Sequence, residues 1–165
     1  MPHLRTHRPP PGATRGGEAA AVDQVDTRYL ESLLGYNARR AALAVIEVFL
    51  EKMAPYDLRP VDFSVLSLVR HNPGITSRQL CAVLGILPPN LVGMVHALER
   101  RALIERRPHP RDRRAMGLHL TPGGETFVAE AERTAAELET DVGARLTAGE
   151  KRTLMALLRK IYLPG

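Results

Sequence analysis

Between Thr76 and Leu120 the apolar residues change period, from a helical repeat to a strand-like alternation, and an arginine-rich turn lies between the alternating halves. TSRQLCAVLGI opens with Thr76-x-x-Gln79, the spacing of a capping box in which each side chain satisfies the other residue's backbone N–H. Leu80, Cys81 and Leu84 then fall on one face, and Gly85 ends a short helix. After a break at Ile86-Leu87-Pro88-Pro89, NLVGMVHALERRA reads as a second helix with Leu91, Met94, Val95 and Leu98 inward. Two short helices joined by a tight glycine-containing turn make a helix-turn-helix. Leu103 to Arg107 and Ala115 to Leu120 follow as short strands, Leu118 and Leu120 sharing a face, with PHPRDRR as the turn between them. A helix-turn-helix running into such a hairpin is a winged helix.

Charge is concentrated on the same stretch. From Arg100 to Arg114 there are seven arginines (100, 101, 106, 107, 111, 113, 114) against Glu105 and Asp112, a local excess equal to the +5 of the whole chain. The remainder is close to neutral. Clustered excess favours a localised contact with a polyanion over general solubility, with a solvated charge run as the plainer alternative. At 165 residues the chain is one domain, or a small domain with extra helices. It has no Trp and 4% aromatics, so its core must be built mostly from Leu, Val, Ala and Ile. The single cysteine, Cys81, excludes an internal disulfide framework and any multi-cysteine metal site, and suits a reducing, cytoplasmic compartment. No apolar run approaches the ~18 residues of a membrane span, and the basic N-terminus has no apolar signal-like core. No membrane partner is expected.

The flanks are helical. Residues 1–22 carry Pro and Gly with few large apolar side chains and read as a disordered basic tail. Leu30, Leu33, Leu34, Ala41, Val45, Val48, Phe49 and Met53 predict one long helix ending near Pro55. A second helix opens at Pro60, with Val61, Val65, Leu68 and Val69 inward, and stops at Asn72-Pro73-Gly74. Thr121-Pro122 caps a further helix through Phe127, Val128, Ala131, Ala135, Leu138 and Val142. Thr147-x-x-Glu150 is a second capping box, leading into Leu154, Leu157, Leu158, Ile161 and Tyr162. These helices offer more apolar surface than a winged helix needs, and a dimer interface is its natural sink. The expected organisation is mainly α with a small β-wing: a winged helix-turn-helix lobe over residues 56–120, flanked by helical dimerisation regions at 23–55 and 121–163.

In this order and spacing the elements resemble the multiple antibiotic resistance regulator (MarR) family of winged-helix transcription factors, from about Tyr29 to Tyr162. The wing RDRRAMGLHLTPGGE is the most specific part, with Asp-x-Arg at Asp112 and Arg114 followed by Leu-Thr-x-x-Gly at Leu120, Thr121 and Gly124. GITSRQLCAVLGI and HALERRALIERR fit the family's helix-turn-helix and its exit into the wing. The resemblance implies a homodimer on double-stranded DNA, with each recognition helix in a major groove and each wing in a minor groove. It matches Arg114 to the wing arginine that enters the minor groove and Asp112 to the acid that orients it. Such an acid fixes the Arg rotamer, so less entropy is lost on binding, and a narrow minor groove attracts Arg. Arg106, Arg107, Arg111 and Arg113 are then phosphate or groove contacts. Thr76, Ser77 and Arg78 open the first helix of the motif, where free N–H groups and hydroxyls suit a phosphate.

The recognition helix departs from the family. Leu87 is a poor cap, and Pro88 and Pro89 remove two backbone donors. Val92 and Gly93 offer bases no hydrogen bonds. Asn90 suits adenine, Val92 a thymine methyl, and His96 a base or phosphate. Pro89, Asn90, Val92, Gly93 and His96 are thus the candidate DNA face, with thin base readout and more of the affinity left to the wing and to DNA shape. Ala102 stands where the family ends this helix with Gly. A left-handed Ala costs on the order of 1 kcal/mol, so a different exit is expected.

Other residues carry weaker readings. Cys81 lies on an inward face and suits packing better than redox sensing. The scattered His71, His96, His109 and His119 form no ligand pair for zinc. Tyr29, Tyr36, Asn37 and Arg40 on the first helix, with Phe63 or His71 on the second, are candidates to line an effector cleft. In the family that cleft often takes aromatic or phenolic acids, and packing across the dimer is the competing role for these side chains. Arg5, Arg8 and Arg15 in the tail are candidates for a DNA arm, or are of no consequence. No nucleophile–base pair, phosphate-binding glycine loop or paired carboxylates point to an enzyme, and no cofactor or metal is expected. The reading is a dimeric repressor of a pseudo-palindromic promoter site, released by a small effector. The rival is a winged-helix protein-interaction module that binds DNA only non-specifically.

Overall fold

The computed structural model describes residues 24–108 and 115–163. Its contacts divide the chain into two compact units, one ending at Asn37 and the other beginning at Ala38. In the first unit the expected long helix is interrupted. α1 (Arg28–Glu31) stops, and α2 (Leu34–Met53) starts after Ser32 and Leu33. The cause is local. Ser32 Oγ donates to the carbonyl of Tyr29 at 2.7 Å, and the Asn37 amide donates to the carbonyls of Glu31 and Leu33 at 2.7 and 2.8 Å. Short polar side chains here satisfy carbonyls that a continuing helix would have used.

In the second unit, Pro55 helps turn the end of α2 into a 3₁₀ turn at Ala54–Tyr56. α3 (Pro60–His71) begins with Pro in its first turn, as expected. Its buried face is wider than periodicity on one stripe suggests. Val65 and Val69 are buried, Leu66 is buried as well, and Val61 and Leu68 are only half-buried. The helix packs against a strand and two later helices, so its apolar stripe has to turn. Asp62 is also buried, and it accepts from Arg59 Nε at 2.7 Å and Nη2 at 2.9 Å. That pairing holds the Arg59 guanidinium above its usual pKa.

β1 (Ile75–Thr76) is a strand that the sequence pattern does not announce. It pairs antiparallel with β3 (Met116–Leu120), which pairs in turn with β2 (Ile104–Pro108), giving the order β1-β3-β2. Gly74, at φ +88°, brings its N–H to the carbonyl of Leu118 at 2.8 Å. A Cβ on Gly117 would lie 2.8 Å from the Gly74 carbonyl oxygen, so the crossing needs glycine at 117, while the positive φ favours it at 74. α4 (Ser77–Leu84) and α5 (Pro88–Arg100) lie between β1 and β2, and α6 (Pro122–Val142) and α7 (Ala148–Tyr162) follow β3.

One apolar core runs from Phe49 and Met53 on α2, through Val65, Leu66, Leu80, Leu91, Leu98 and Leu118, to Val128, Ala131 and Leu138 on α6. It crosses the boundaries expected at 55–56 and 120–121, so the winged lobe shares its core with both flanks. Each of the larger side chains contributes roughly 1.5–3 kcal/mol by leaving water. α7, by contrast, buries none of its residues, and Leu154, Leu157 and Ile161 stand 45%, 53% and 60% exposed. Leu43, Ile46 and Leu50 on α2 are exposed as well. Among the described residues no single helix is long and apolar enough to cross a membrane.

Candidate nucleic-acid interface

The helix-turn-helix is built by the local signals that announced it. The capping box forms: Thr76 Oγ1 accepts from the Gln79 N–H at 3.3 Å, and Gln79 Oε1 accepts from the Thr76 N–H at 2.9 Å. Gly85, at φ +63°, stops α4. The chain then bends by 116° into α5, within the range of helix-turn-helix pairs. α5 seats Leu91, Val95 and Leu98 in the core and turns Pro89, Val92, Gly93, His96 and Arg100 to solvent, a stripe at helical spacing. The sequence reading placed Pro89, Asn90, Val92, Gly93 and His96 at this interface, and all five are exposed.

The first turn of α5 is closed to anions. Leu87 provides no side-chain cap, and Pro88 and Pro89 have no N–H. The next two N–H groups, of Asn90 and Leu91, both donate to the Leu87 carbonyl, at 3.0 and 3.3 Å. A helix normally begins with free donors that can meet a phosphate, and in this one Pro88, Pro89 and Asn90 offer none. At the start of α4, Thr76 is committed as well, since its hydroxyl also donates to Gln79 Oε1 at 2.8 Å. The expectation of a free hydroxyl at Thr76 is therefore corrected. Half-buried Ser77 and exposed Arg78 remain at that end.

The exit from α5 takes the left-handed turn usual for glycine, although a different exit was expected with Ala102 there. Ala102 adopts φ +55° in place of Gly, and the Leu103 N–H reaches back to the Leu98 carbonyl at 3.1 Å. The Leu-Thr-x-x-Gly motif explains how this is held. Thr121 Oγ1 donates to the Ala102 carbonyl at 2.6 Å and accepts from the Gly124 N–H at 2.9 Å. Its own N–H donates to the Leu103 carbonyl at 3.1 Å. Gly124 lies so close that a Cβ there would run into the same carbonyl oxygen. One threonine and one glycine thus latch the end of α5, the end of the hairpin and the start of α6 together.

The arginine cluster divides by role. Arg101 is structural: it donates to the carbonyls of Asp57 and Tyr56 at 2.9 and 2.7 Å and lies 5.4 Å from the centre of the Phe127 ring. Arg106 Nε is 2.7 Å from Glu99 Oε1, and Arg107 is paired with Glu105. The base of the wing is therefore largely neutralised, while both guanidinium groups stay within reach of solvent. Arg111, Asp112, Arg113 and Arg114, with His109, lie outside the described residues.

The candidate effector residues fall in both units. In the first unit Tyr29 is exposed, Tyr36 is half-buried and the Asn37 amide is committed to backbone carbonyls. In the second, Arg40 is exposed on α2. Phe63 meets Phe49 edge-on, with ring centres 5.7 Å apart. It lines an open groove of about 410 Å³ with Val45, Pro60, Ala135 and Leu138. His71 lies elsewhere, 3.0 Å from Glu132 Oε1, a carboxylate that also takes Arg70 at 2.6 Å and Ser67 at 2.8 Å. Its ring belongs to a polar pin between α3 and α6, which corrects its assignment to the cleft. The small residues of α6 that form the opposite wall of the Phe63 groove were missed, because an alanine pair carries no binding signal in sequence.

A bent helix pair with one exposed face, followed by an arginine-bearing hairpin, defines a winged helix-turn-helix. The comparisons agree. The sequence profile described as the MarR family matches residues 56–115. A putative transcriptional regulatory protein for the hcr operon of Thauera aromatica is 31% identical over 130 residues, covering 78% of each chain. The multiple antibiotic resistance protein MarR of Salmonella typhimurium is 34% identical over 110 residues, covering 66% of this chain and 76% of that one. Among solved structures, the transcriptional repressor CouR bound to a 23-mer DNA duplex superposes with a TM-score of 0.79 at 39% identity, over 84% of this chain and 98% of that one. CouR bound to p-coumaroyl-CoA gives 0.78 at 36% identity, over 86% and 100%. The chain belongs to the MarR family, and its biochemical class is that of a transcriptional regulator.

Proposed function

We propose that the chain is a cytoplasmic homodimeric repressor that occludes a promoter by binding a pseudo-palindromic site, with half-sites about one helical turn apart. The observation that carries this is the exposed face of α5, set beside the hairpin by a latched exit. α5 enters the major groove, where Asn90 meets adenine and His96 a base or phosphate. Arg78 and Ser77 meet the backbone, and Arg106 and Arg107 exchange Glu99 and Glu105 for phosphates as the wing docks. Arg114, oriented by Asp112, is the minor-groove arginine on sequence grounds, with Arg111 and Arg113 as its neighbours. The exposed apolar faces of α2 and α7 are covered by a second copy. The groove at Phe63 receives the apolar ring of a small effector, whose preference for one spacing of the two α5 helices releases DNA. CouR, a relative on both DNA and an aromatic acyl thioester, supports that pairing of roles.

Selection from a pool of random duplexes tests the reading. A two-fold consensus with half-sites about 10 base pairs apart is the expected result, and release of that DNA by p-coumaroyl-CoA or p-coumarate tests the effector class. The donor-free start of α5 favours one rival, a winged-helix module that binds partners and meets DNA only through charge. A pool that returns no consensus, with binding that collapses as salt rises, would favour it.

A further inference from the structure

A helix that enters the major groove has three ways to hold it: backbone donors at its first turn, polar side chains on base edges, and apolar contact with the C5-methyl of thymine. In α5 the first is absent. Pro88 and Pro89 have no N–H and the Asn90 N–H is turned back to the Leu87 carbonyl, so the first three residues of the helix offer no free donor. The second is sparse. The exposed stripe begins with Pro89 and Val92, Val92 being 51% exposed, and Leu87 beside them is 69% exposed. The third way is what this surface offers. Isolated exposed apolar side chains are ordinary, but these three fall within six residues at the leading end of the proposed recognition helix.

Gly93 points the same way. It sits inside a helix, where Gly costs ~1 kcal/mol against Ala. Among the described residues, nothing beyond the helix's own backbone and the adjoining residues lies within 4 Å of the position a Cβ would take, so packing there does not require glycine. The bare position leaves room for a base edge to come close to the helix axis between Pro89, Val92 and His96.

Resting on the reading of α5 as the major-groove helix, we propose that the protein selects its operator by thymine C5-methyl groups, seated against Pro89 and Val92 over Gly93. Specificity then lies in where methyls stand along the groove more than in hydrogen bonds to bases. The consensus half-site carries thymine at the positions facing the start of α5.

The probe is the operator selected above, remade with deoxyuridine in place of single thymines, which deletes one methyl and alters no hydrogen bond. Each methyl seated on the patch is worth about a fourfold loss of affinity when removed, from the transfer free energy of one buried carbon. Val92→Ala should bind the thymine and uracil operators alike at its own position while keeping the sensitivity at the others. Gly93→Ala should fold at least as stably as the parent and yet lose about tenfold in specific affinity, with non-specific binding unchanged. A consensus whose thymines all accept uracil without loss overturns this inference alone. A pool without any consensus overturns the regulator reading, and this inference with it.

Discussion

Gly124 leaves no space for a side chain, because its Cα packs on the carbonyl oxygen of Leu103. Since that neighbour is backbone, it cannot swing aside. Gly124→Ala should therefore lose more than about 2 kcal/mol of stability, read as a lowered urea midpoint. Ala102 predicts the reverse. It holds φ +55° without being glycine, so Ala102→Gly should stabilise by roughly 0.5–1 kcal/mol, the strain of a left-handed Ala less the entropy glycine adds to the unfolded chain. A drop in the midpoint for Ala102→Gly would contradict the latch described at Thr121. Residue 102 shows what sequence can and cannot give at this scale. The strain was foreseeable from Ala standing in a glycine position. That Thr121 and Gly124 hold it in place, from nineteen residues on in the case of Thr121, was not, because the bond joins elements whose docking no local pattern encodes. Arg101 is similar: it reads as one more interface cation until its guanidinium is seen on the carbonyls of Tyr56 and Asp57.

Among elements, α4, α6 and α7 were legible because their ends are written in short-range chemistry: Thr76 with Gln79, Gly85, Thr121 with Pro122, and Thr147 with Glu150. The break between α1 and α2 was not, since Asn37 and Ser32 act against a strong helical repeat. Nor was β1, which exists only because β3 passes beside it. The α7 cap makes a pH prediction. Glu150 accepts from the backbone N–H and the hydroxyl of Thr147, which holds its carboxyl below the ordinary 4.5. A lowered folded value means the cap is fully formed above the unfolded pKa and is lost as pH falls through the folded one. The amide resonances of Thr147 and Glu150 should shift together with a midpoint below 4.5, and Glu150→Gln should abolish that titration while keeping the helix. Between α3 and α6, Glu132 holds Ser67, Arg70 and His71 at once. Glu132→Ala strands a half-buried Arg70 and should cost about 1–2 kcal/mol in denaturant.

For the whole molecule, the unburied faces of α2 and α7 dominate. A monomer would leave Leu154, Leu157, Ile161 and Leu50 in water, and exposed apolar faces of this kind mark interaction surfaces. Leu157→Glu with Ile161→Glu should turn a dimer into a monomer in sedimentation velocity, and should weaken operator binding at least a hundredfold while the winged lobe stays folded. An unchanged sedimentation coefficient would refute the dimer. In sequence the proposed dimer rests only on surplus apolar surface. The sharing of one core by α2, the winged lobe and α6 was not, because it depends on how Phe49, Leu66 and Leu138 meet across the fold.

The most direct measurement is fluorescence anisotropy on the selected operator and on a scrambled duplex of equal length, with the parent chain and Arg114→Ala, across a range of salt. Tight binding of two chains to the operator alone, weakened at least tenfold by Arg114→Ala, is the predicted result. Equal affinity for both duplexes, falling together as salt rises and indifferent to Arg114, would contradict the account of this protein as a sequence-specific regulator.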